Sequence, residues 1–459
     1  MSGDLLPRVA IVGAGPSGFY AAEALQKALP GLPIDLFDRL PTPFGLVRGG
    51  VAPDHAKIKA VTRVFERIAA QPGLRFLGHV EVGEDVSVDE LRRHYDAVIL
   101  TVGARTDRPL GIPGEHLAGS HAATELVGWF NGHPDYTELR FDLSQESVAV
   151  IGIGNVAMDV ARILAKSPDA LATTDLATNA LAALRDSAVR TIHVIARRGV
   201  AQAACSTPEL RELGELDGVD VVVAPEYLDL DEASMAVLAA AEDRTAEKNI
   251  AVFRDWAARP LTGAPRQMHF HFATSPVSLL GDESVTGIEV ERNRLEGDGA
   301  GGVRAVATGE HRRLAVGLVF RSVGYLGVPI AGVPFDQRRG VVPNREGRVV
   351  AAPGSETTIP GLYVAGWIKR GPQGVIGTNK PCAVETVVRL LADRDAGVLP
   401  RPEGAAGLLD ELLASRGVRV TDWAGWQRLD AAEVARGAPA GRPREKVTSV
   451  AEMLDIIGV

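Results

Sequence analysis

The chain has 459 residues and carries 49 Lys and Arg against 58 Asp and Glu, a formal net charge of −9. With 46% hydrophobic and 23% charged residues it has the composition of a folded globular protein, which excludes wholesale disorder. A mildly acidic average also argues against a general nucleic-acid binder, because phosphate affinity needs clustered cations. At about 150 residues per domain the length implies roughly three domain-sized units. Fifty glycines beside only 5% aromatics raise the question of what so much bare backbone approaches.

The chain opens with Val9-Ala10-Ile11-Val12, an apolar run of buried-strand type. Gly13-Ala14-Gly15-Pro16-Ser17-Gly18 follows, then a helical pattern over Phe19–Leu29 and a second strand, Ile34–Asp38. This is a β-α-β unit with a GxGxxG turn in the required position. Gly13 permits the tight turn, Gly15 lets a pyrophosphate approach, and Gly18 lets helix and strand pack closely. The helix N-terminus then presents its amides to the phosphates. Asp38 ends the second strand 20 residues after Gly18, where a carboxylate accepts ribose hydroxyls and repels a 2′-phosphate. A Pro- and Gly-rich loop, Leu40–His55, precedes an expected helix over Ala56–Ala70 and strands over Arg75–Val82 and Ala97–Val102.

The pattern restarts at Ser147, about 140 residues later, a domain-sized spacing that implies a second nucleotide-binding domain. Val148–Ile151 reads as a strand, Gly152-Ile153-Gly154-Asn155-Val156-Ala157 as a GxGxxA turn, and Met158–Lys166 as a helix. An Ala-rich insertion, Ser167–Ser187, reads as helical decoration before the strand Thr191–Ala196. That strand ends in Arg197-Arg198 and carries no acid. Two guanidiniums at the ribose position suit a 2′-phosphate, so the second dinucleotide is expected to be NADP and the first FAD. Flavin with NADP is an arrangement for hydride transfer. Further on, Leu230–Asp243 looks helical. Met268–Ala273, Val285–Arg292 and Leu314–Phe320 look like strands, with a flexible turn over Glu296–Gly302. Gly361–Gly366 is a late buried strand. It leads to the Gly-rich loop Arg370–Thr378 and a helix over Ala383–Asp393. The tail from Arg401 reads as polar, with one helical piece near Val450–Ile457.

Only two cysteines occur, Cys205 and Cys382. They form no CxxC-type redox pair and no disulfide framework, which points to a reducing, cytoplasmic setting. No apolar run reaches the roughly 18 residues of a membrane helix. Only Met1–Pro7 precede the strand-like run Arg8–Val12, so no leader peptide is expected.

Several segments together resemble the adrenodoxin-reductase-type ferredoxin–NADP reductases. They are Pro43-Phe44-Gly45-Leu46-Val47-Arg48-Gly49-Gly50-Val51-Ala52-Pro53-Asp54-His55, Gly154–Arg162, Arg197-Arg198-Gly199 and Glu209-Leu210-Arg211-Glu212-Leu213. The loop Gly366-Trp367-Ile368-Lys369-Arg370-Gly371-Pro372 with Gly374–Thr378 matches too, as do Asp422-Trp423 and Pro443-Arg444-Glu445-Lys446. The resemblance implies two Rossmann-like α/β domains. The FAD domain would be discontinuous, over 1–104 and 322–459, with an NADP domain over 105–321 inserted into it. It implies hydride transfer from NADPH to FAD, then single-electron transfer to a ferredoxin, serving acceptors such as cytochrome P450, in a monomeric enzyme. Ala14, Asp38, Leu46 and Val82 would contact FAD. Trp367 and Gly374-Val375-Ile376 would line the flavin ring and pyrophosphate end. Gly154–Ala157, Arg197, Arg198 and Glu209 would hold NADP. His55 and Glu212 would be the polar pair beside the reacting rings, Glu212 fixing the His55 tautomer.

Because ferredoxins are usually acidic, a local basic face is expected despite the negative total. Arg211, Arg244, Lys248, Arg254, Arg259, Lys369 and Arg370 are its candidates. The competing readings are a flavin monooxygenase, distinguished by NADPH-driven oxygen insertion, and a non-enzymatic nucleotide sensor, distinguished by lack of turnover. A disulfide reductase lacks its cysteine pair here.

Overall fold

In a computed structural model of the chain, residues 6–240, 244–403 and 407–459 are described. The chain divides into two units. The first comprises Met1–Thr106, Asn131–Pro134 and Gly324–Val459, and the second Asp107–Phe130 and Asp135–Val323. The four residues Asn131–Pro134 go with the first unit for a visible reason. Lys446 donates its ammonium protons to the Asn131 carbonyl (3.1 Å) and side-chain oxygen (3.2 Å).

The short apolar runs build the first unit's sheet. Its seven strands lie in the order Asn344–Arg345, Arg348–Val350, Thr358–Val364, Ala97–Leu100, Val9–Val12, Ile34–Asp38 and Leu74–Gly78. The last five are parallel, and an antiparallel pair closes the other edge. Strands buried on both faces need no polar alternation, and Val9–Val12 is fully buried. Its neighbours are Ile34–Asp38 on one side and Ala97–Leu100 on the other. The carboxyl end of Val9–Val12 is therefore the switch point where such sheets bind ligands.

The second unit repeats this with six parallel strands, in the order Ser120–Ala122, Leu318–Arg321, Ser147–Ile151, Thr191–Ile195, Arg266–His271 and Val219–Val223. Here Ser147–Ile151 occupies the switch point. One face packs on helices through Val148, Val150, Ile192, Val194, Met268 and Phe270. A three-stranded antiparallel sheet, Thr274–Leu280, Gly287–Gly297 and Val303–Leu314, packs Leu279, Ile288 and Val290 against Ala149, Ile151, Ile195 and Val319 on the other face.

Several elements differ from the sequence reading. Both glycine turns pass directly into their helices, Pro16–Ala28 and Asn155–Ala165, without the delay expected. The strand read as Arg75–Val82 stops at Gly78, because His79 takes a left-handed conformation (φ +58) and turns the chain. The helix read over Ala56–Ala70 is two pieces, Ala56–Lys59 and Thr62–Ala69. Between them the Val61 N–H bonds the Ile58 carbonyl three residues back, tightening the turn. Val88–His94, unread in the sequence, is a helix closed by a capping box of Ser87 and Glu90. The run Leu314–Phe320 splits between an antiparallel strand ending at Leu314 and the sheet strand Leu318–Arg321. Among the described residues the tail holds three α-helices rather than one: Leu408–Ser415, Trp423–Gly437 and Val450–Ile457. Leu409, Leu413, Trp426, Leu429, Met453 and Ile457 supply its buried faces, too widely spaced to stand out in a polar stretch. Of the helix read over Leu230–Asp243, Glu232–Ala240 is helical and residues 241–243 lie outside the described ones.

Candidate nucleotide sites

The first corner is built by contacts that only glycine allows. A Cβ at Gly13 (φ +111) would lie 2.7 Å from the Thr101 carbonyl, and one at Gly18 only 2.1 Å from the Gly13 carbonyl. Both glycines therefore serve the fold. Gly15 does not: its Cβ would meet protein no nearer than 3.9 Å, so the space above it is left for something else. Gly15 also N-caps the helix Pro16–Ala28, and no side chain caps that end. An open cradle over a helix N-terminus fits a dinucleotide pyrophosphate.

Asp38 sits at the rim of this cradle. Its carboxylate accepts the Ala14 N–H (2.9 Å) and the Leu40 N–H (3.0 Å), clamping the turn to the second strand. Burial pushes its carboxyl above the ordinary range, against the pull of those two amides. Each oxygen keeps a lone pair for a ribose hydroxyl.

The loop carrying Leu46 and His55 is anchored through Phe44, whose positive φ of +83 is uncommon outside glycine. The ring pays for it by packing against Phe19, Phe65, Trp423 and Trp426. Arg48 makes a bidentate pair with the fully buried Glu433 at 2.5 and 2.8 Å and lies 5.3 Å over the Trp426 ring. Lys446 donates to the Arg48 carbonyl (3.2 Å), and Arg444 pairs with Asp430 (2.6 Å) and Glu433 (3.2 Å). The tail motifs Asp422-Trp423 and Pro443–Lys446 are thus the clamp on this loop. Leu46 is left 42% exposed. His55 is buried, and Val82 is half-buried beside its bridge partner Val86.

The late strand ends at Gly366 (φ +78), where a Cβ would fall 2.1 Å from the Ser17 hydroxyl on the first helix. Ser17 donates to the Asn379 side-chain oxygen (3.1 Å), and Arg370 donates to the same oxygen (3.0 Å) and to Thr378 (3.1 Å). These bonds shape the Gly-rich loop, on which Gly374 and Val375 are exposed and Ile376 half-buried. Trp367 stacks on Tyr325 at 5.6 Å, yet its indole N–H is buried without a partner. A buried donor without an acceptor is costly, and a flavin nucleotide would supply one. The residues present fit FAD.

The second corner follows the same logic. A Cβ at Gly152 (φ +131) would strike the Ser322 carbonyl at 2.1 Å, whereas one at Gly154 would meet nothing within 4 Å. Gly154 caps the helix Asn155–Ala165 without help from a side chain. Asn155 accepts the Ser206 N–H (2.8 Å), tying the turn to the start of the helix Thr207–Leu213. Val156 packs at the edge of the core, and Ala157 is fully buried. Arg197 is exposed and Arg198 half-buried. Neither has an ion-pair partner among the described residues, and burial together with the Arg197 charge lowers the Arg198 pKa. Two unneutralised guanidiniums beside an open helix N-terminus fit a phosphorylated dinucleotide such as NADP.

Glu209 and Glu212 are held together by Arg162, which ends the quoted motif Gly154–Arg162 but was given no role in the sequence reading. Arg162, 1% exposed, pairs with Asp159 (2.7 Å) and Glu209 (3.1 Å) and lies 3.8 Å from Glu212. Glu209 is buried in that network, which orients the helix behind the second glycine turn, while the Glu212 side chain is 46% exposed. A lone Arg among the buried residues Val160, Ala161, Ile163 and Leu164 was the available signal.

The proposed cationic face is also revised. Lys369 is buried and spends its ammonium on Glu385 (2.6 Å) and Thr386 (3.1 Å), so it is not a docking cation. Arg370 is committed to the Gly-rich loop. Arg211, Arg244, Lys248, Arg254 and Arg259 are exposed in the second unit, with Arg259 paired to Asp255 (2.5 Å) and Arg244 3.8 Å from Glu247.

Both cysteines are free and buried. Burial pushes the Cys205 thiol up to about 12, an inert thiol, and Cys382 accepts the Gly366 N–H (3.3 Å). No helix among the described residues is long and apolar enough to cross a membrane.

Two sheets, one wholly and one mostly parallel, each with a glycine corner at its switch point, define an oxidoreductase-type fold that takes two dinucleotides. Residues 7–221 match the family described as pyridine nucleotide-disulphide oxidoreductase. The NADPH-ferredoxin reductase FprA of Mycobacterium tuberculosis is 48% identical over 460 residues, covering 98% of each chain. The mitochondrial NADPH:adrenodoxin oxidoreductase of Arabidopsis thaliana is 41% identical over 97% of this chain and 94% of its own. The structure of M. tuberculosis FprA in complex with NADPH superposes with a TM-score of 0.93 at 46% identity, covering 99% of this chain and all of the other. The chain belongs to the NADPH-ferredoxin reductase family.

Proposed function

We propose that the chain is an FAD-dependent ferredoxin–NADP reductase that oxidises NADPH and reduces a ferredoxin-type iron–sulfur protein. The observation that carries the cofactor assignment is the difference between the corners: an acid, Asp38, at the first and, at the second, Arg197-Arg198 with no ion-pair partner among the described residues. FAD, when bound, accepts a hydride from NADPH and releases electrons one at a time. In this reading Gly15, Ala14 and Asp38 hold its adenosine half. Leu46, Val82, Trp367 and Gly374–Ile376 surround the rest. Gly154–Ala157 receive the NADP pyrophosphate, Arg197 and Arg198 grip the 2′-phosphate, and Glu209 steadies that helix through Arg162. His55 and Glu212 orient the nicotinamide and handle protons. The exposed cations Arg211, Arg244, Lys248 and Arg254 draw in the acidic acceptor. The cytochrome P450 chain is a fitting consumer of the reduced ferredoxin.

The test is direct. The purified protein should show a flavin spectrum and reduce a ferredoxin with NADPH far faster than with NADH, at a rate that falls steeply with salt. Oxygen insertion into an added substrate would favour a monooxygenase instead, and bound nucleotide without turnover would favour a sensor.

A further inference from the structure

The three-stranded sheet of the second unit lies outside both glycine corners, yet it holds the Arg pair by its backbone. All three consecutive carbonyls of Ala196, Arg197 and Arg198 are bonded from it or from Ala273, the residue that leads into it. The Thr274 N–H reaches the Ala196 carbonyl (3.0 Å), and the Ala273 N–H reaches that of Arg198 (3.0 Å). The Arg197 carbonyl accepts from the Asn293 side-chain amide (2.8 Å). A carbonyl only accepts, so this contact fixes the amide's orientation. The second amide N–H goes to the Ser275 hydroxyl (2.8 Å).

Asn293 is itself locked. It is 6% exposed, and its backbone N–H donates to the Ala273 carbonyl (2.6 Å). A register shift between Glu291 and Asn293 sets its place in the ladder with Val303–Leu314. Ala273 holds a left-handed φ of +45, a strained conformation for alanine that the surrounding bonds must maintain. The site therefore spends strain and a buried amide on one tripeptide. That tripeptide carries two adjacent positive charges, and neither guanidinium has an ion-pair partner among the described residues.

We infer that Asn293 is a positioning residue for 2′-phosphate selectivity, fixing the Arg197-Arg198 backbone so that both guanidiniums are preorganised before the nucleotide arrives. This rests on the proposed reading of the Arg pair as the 2′-phosphate site.

The experiment compares the wild-type holoenzyme with Asn293→Ala, Ser275→Ala and the double variant Arg197→Ala/Arg198→Ala. The readouts are KM and kcat with NADPH and with NADH, and calorimetric affinity for 2′-phospho-AMP and for AMP. Asn293→Ala is expected to raise the NADPH KM and the 2′-phospho-AMP Kd about five- to tenfold, the worth of one buried hydrogen bond. NADPH kcat, NADH kinetics and AMP affinity should stay within about twofold. Ser275→Ala, which keeps the Arg197 bond but frees the amide, should move the same ratio in the same direction by less, and it carries the test if Asn293→Ala does not fold. If the double Arg variant leaves the NADPH/NADH ratio unchanged, the Arg reading itself falls. If it collapses the ratio while the Asn293 and Ser275 variants leave it intact, or shift both nucleotides equally, Asn293 is merely structural and the inference is overturned.

Discussion

Gly154→Ala separates a glycine kept for a ligand from one kept for the fold. At Gly154 the backbone lies at φ −94 and ψ 178, where alanine is unstrained, and its Cβ would meet nothing within 4 Å. The apoprotein should lose no stability. It should gain about 0.4–1 kcal/mol, because the unfolded chain has fewer states to lose. The methyl group does occupy the space over the first turn of Asn155–Ala165, where a pyrophosphate would meet the amides. Displacing it from one charge-assisted hydrogen bond costs about 1.5–3 kcal/mol, a roughly 10- to 150-fold rise in NADPH KM. Gly152→Ala, two residues earlier, is the control. It drives a Cβ to 2.1 Å from the Ser322 carbonyl at φ +131 and should lower stability with or without nucleotide. Thermal melts of the two variants with and without NADP+, alongside steady-state KM, read both effects. A Gly154→Ala protein with native melting temperature and native NADPH KM would refute the assignment of that space to the nucleotide.

Arg162→Leu removes the ion-pair partner that the buried Asp159 and Glu209 share and should cost about 3–5 kcal/mol in denaturant unfolding; a loss under about 1 kcal/mol would mean the network is solvated. His193, His269 and His271 share one sheet face, and Arg312 donates to His271 (2.7 Å), which lies 3.0 Å from His193. Burial first, then neighbouring positive charge, lowers His193 to about 4 and His271 to about 3, both below the ordinary 6.5. The unfolded chain therefore takes up protons first. The stability contributed by these neutral rings is complete above about pH 6.5 and is lost as pH falls toward 4 and then 3. His193→Gln should flatten that slope in melts run from pH 7 to 4, and an unchanged slope would remove His193 from it. His55→Ala should slow flavin reduction by NADPH in stopped flow while the flavin stays bound; an unaltered rate would end its proposed role.

What the sequence made legible was local. Each glycine corner lies within one β-α-β unit, so strand, turn, helix and the residue at the second strand's end could all be read in register, down to Asp38 against Arg197-Arg198. The length suggested three domain units, whereas the chain divides into two, the first of them discontinuous. What stayed hidden joins distant segments. Arg48 and Glu433 are 385 residues apart, and Asn293 and Arg197 are 96 apart. No periodicity links such pairs. Lys369 failed as a surface cation for a related reason: a charge in a Gly-rich loop reads as exposed until the fold places Glu385 and Thr386 against it.

The glycines sort by the same physics. Gly13, Gly18, Gly152 and Gly366 are demanded by carbonyls or a hydroxyl within 3 Å of a would-be Cβ, so they would be needed in an empty protein. Gly15 and Gly154 are demanded by nothing in the chain itself. Their spacing inside the motif cannot tell the two kinds apart; only the distance to the next atom does. The first corner thus uses Gly13 and Gly18 to make the turn and Gly15 to leave room, whereas the second makes its turn with Gly152 alone, leaves room at Gly154 and has Ala157 in the third place. The pair that leaves room is where the proposed reading seats the two dinucleotides.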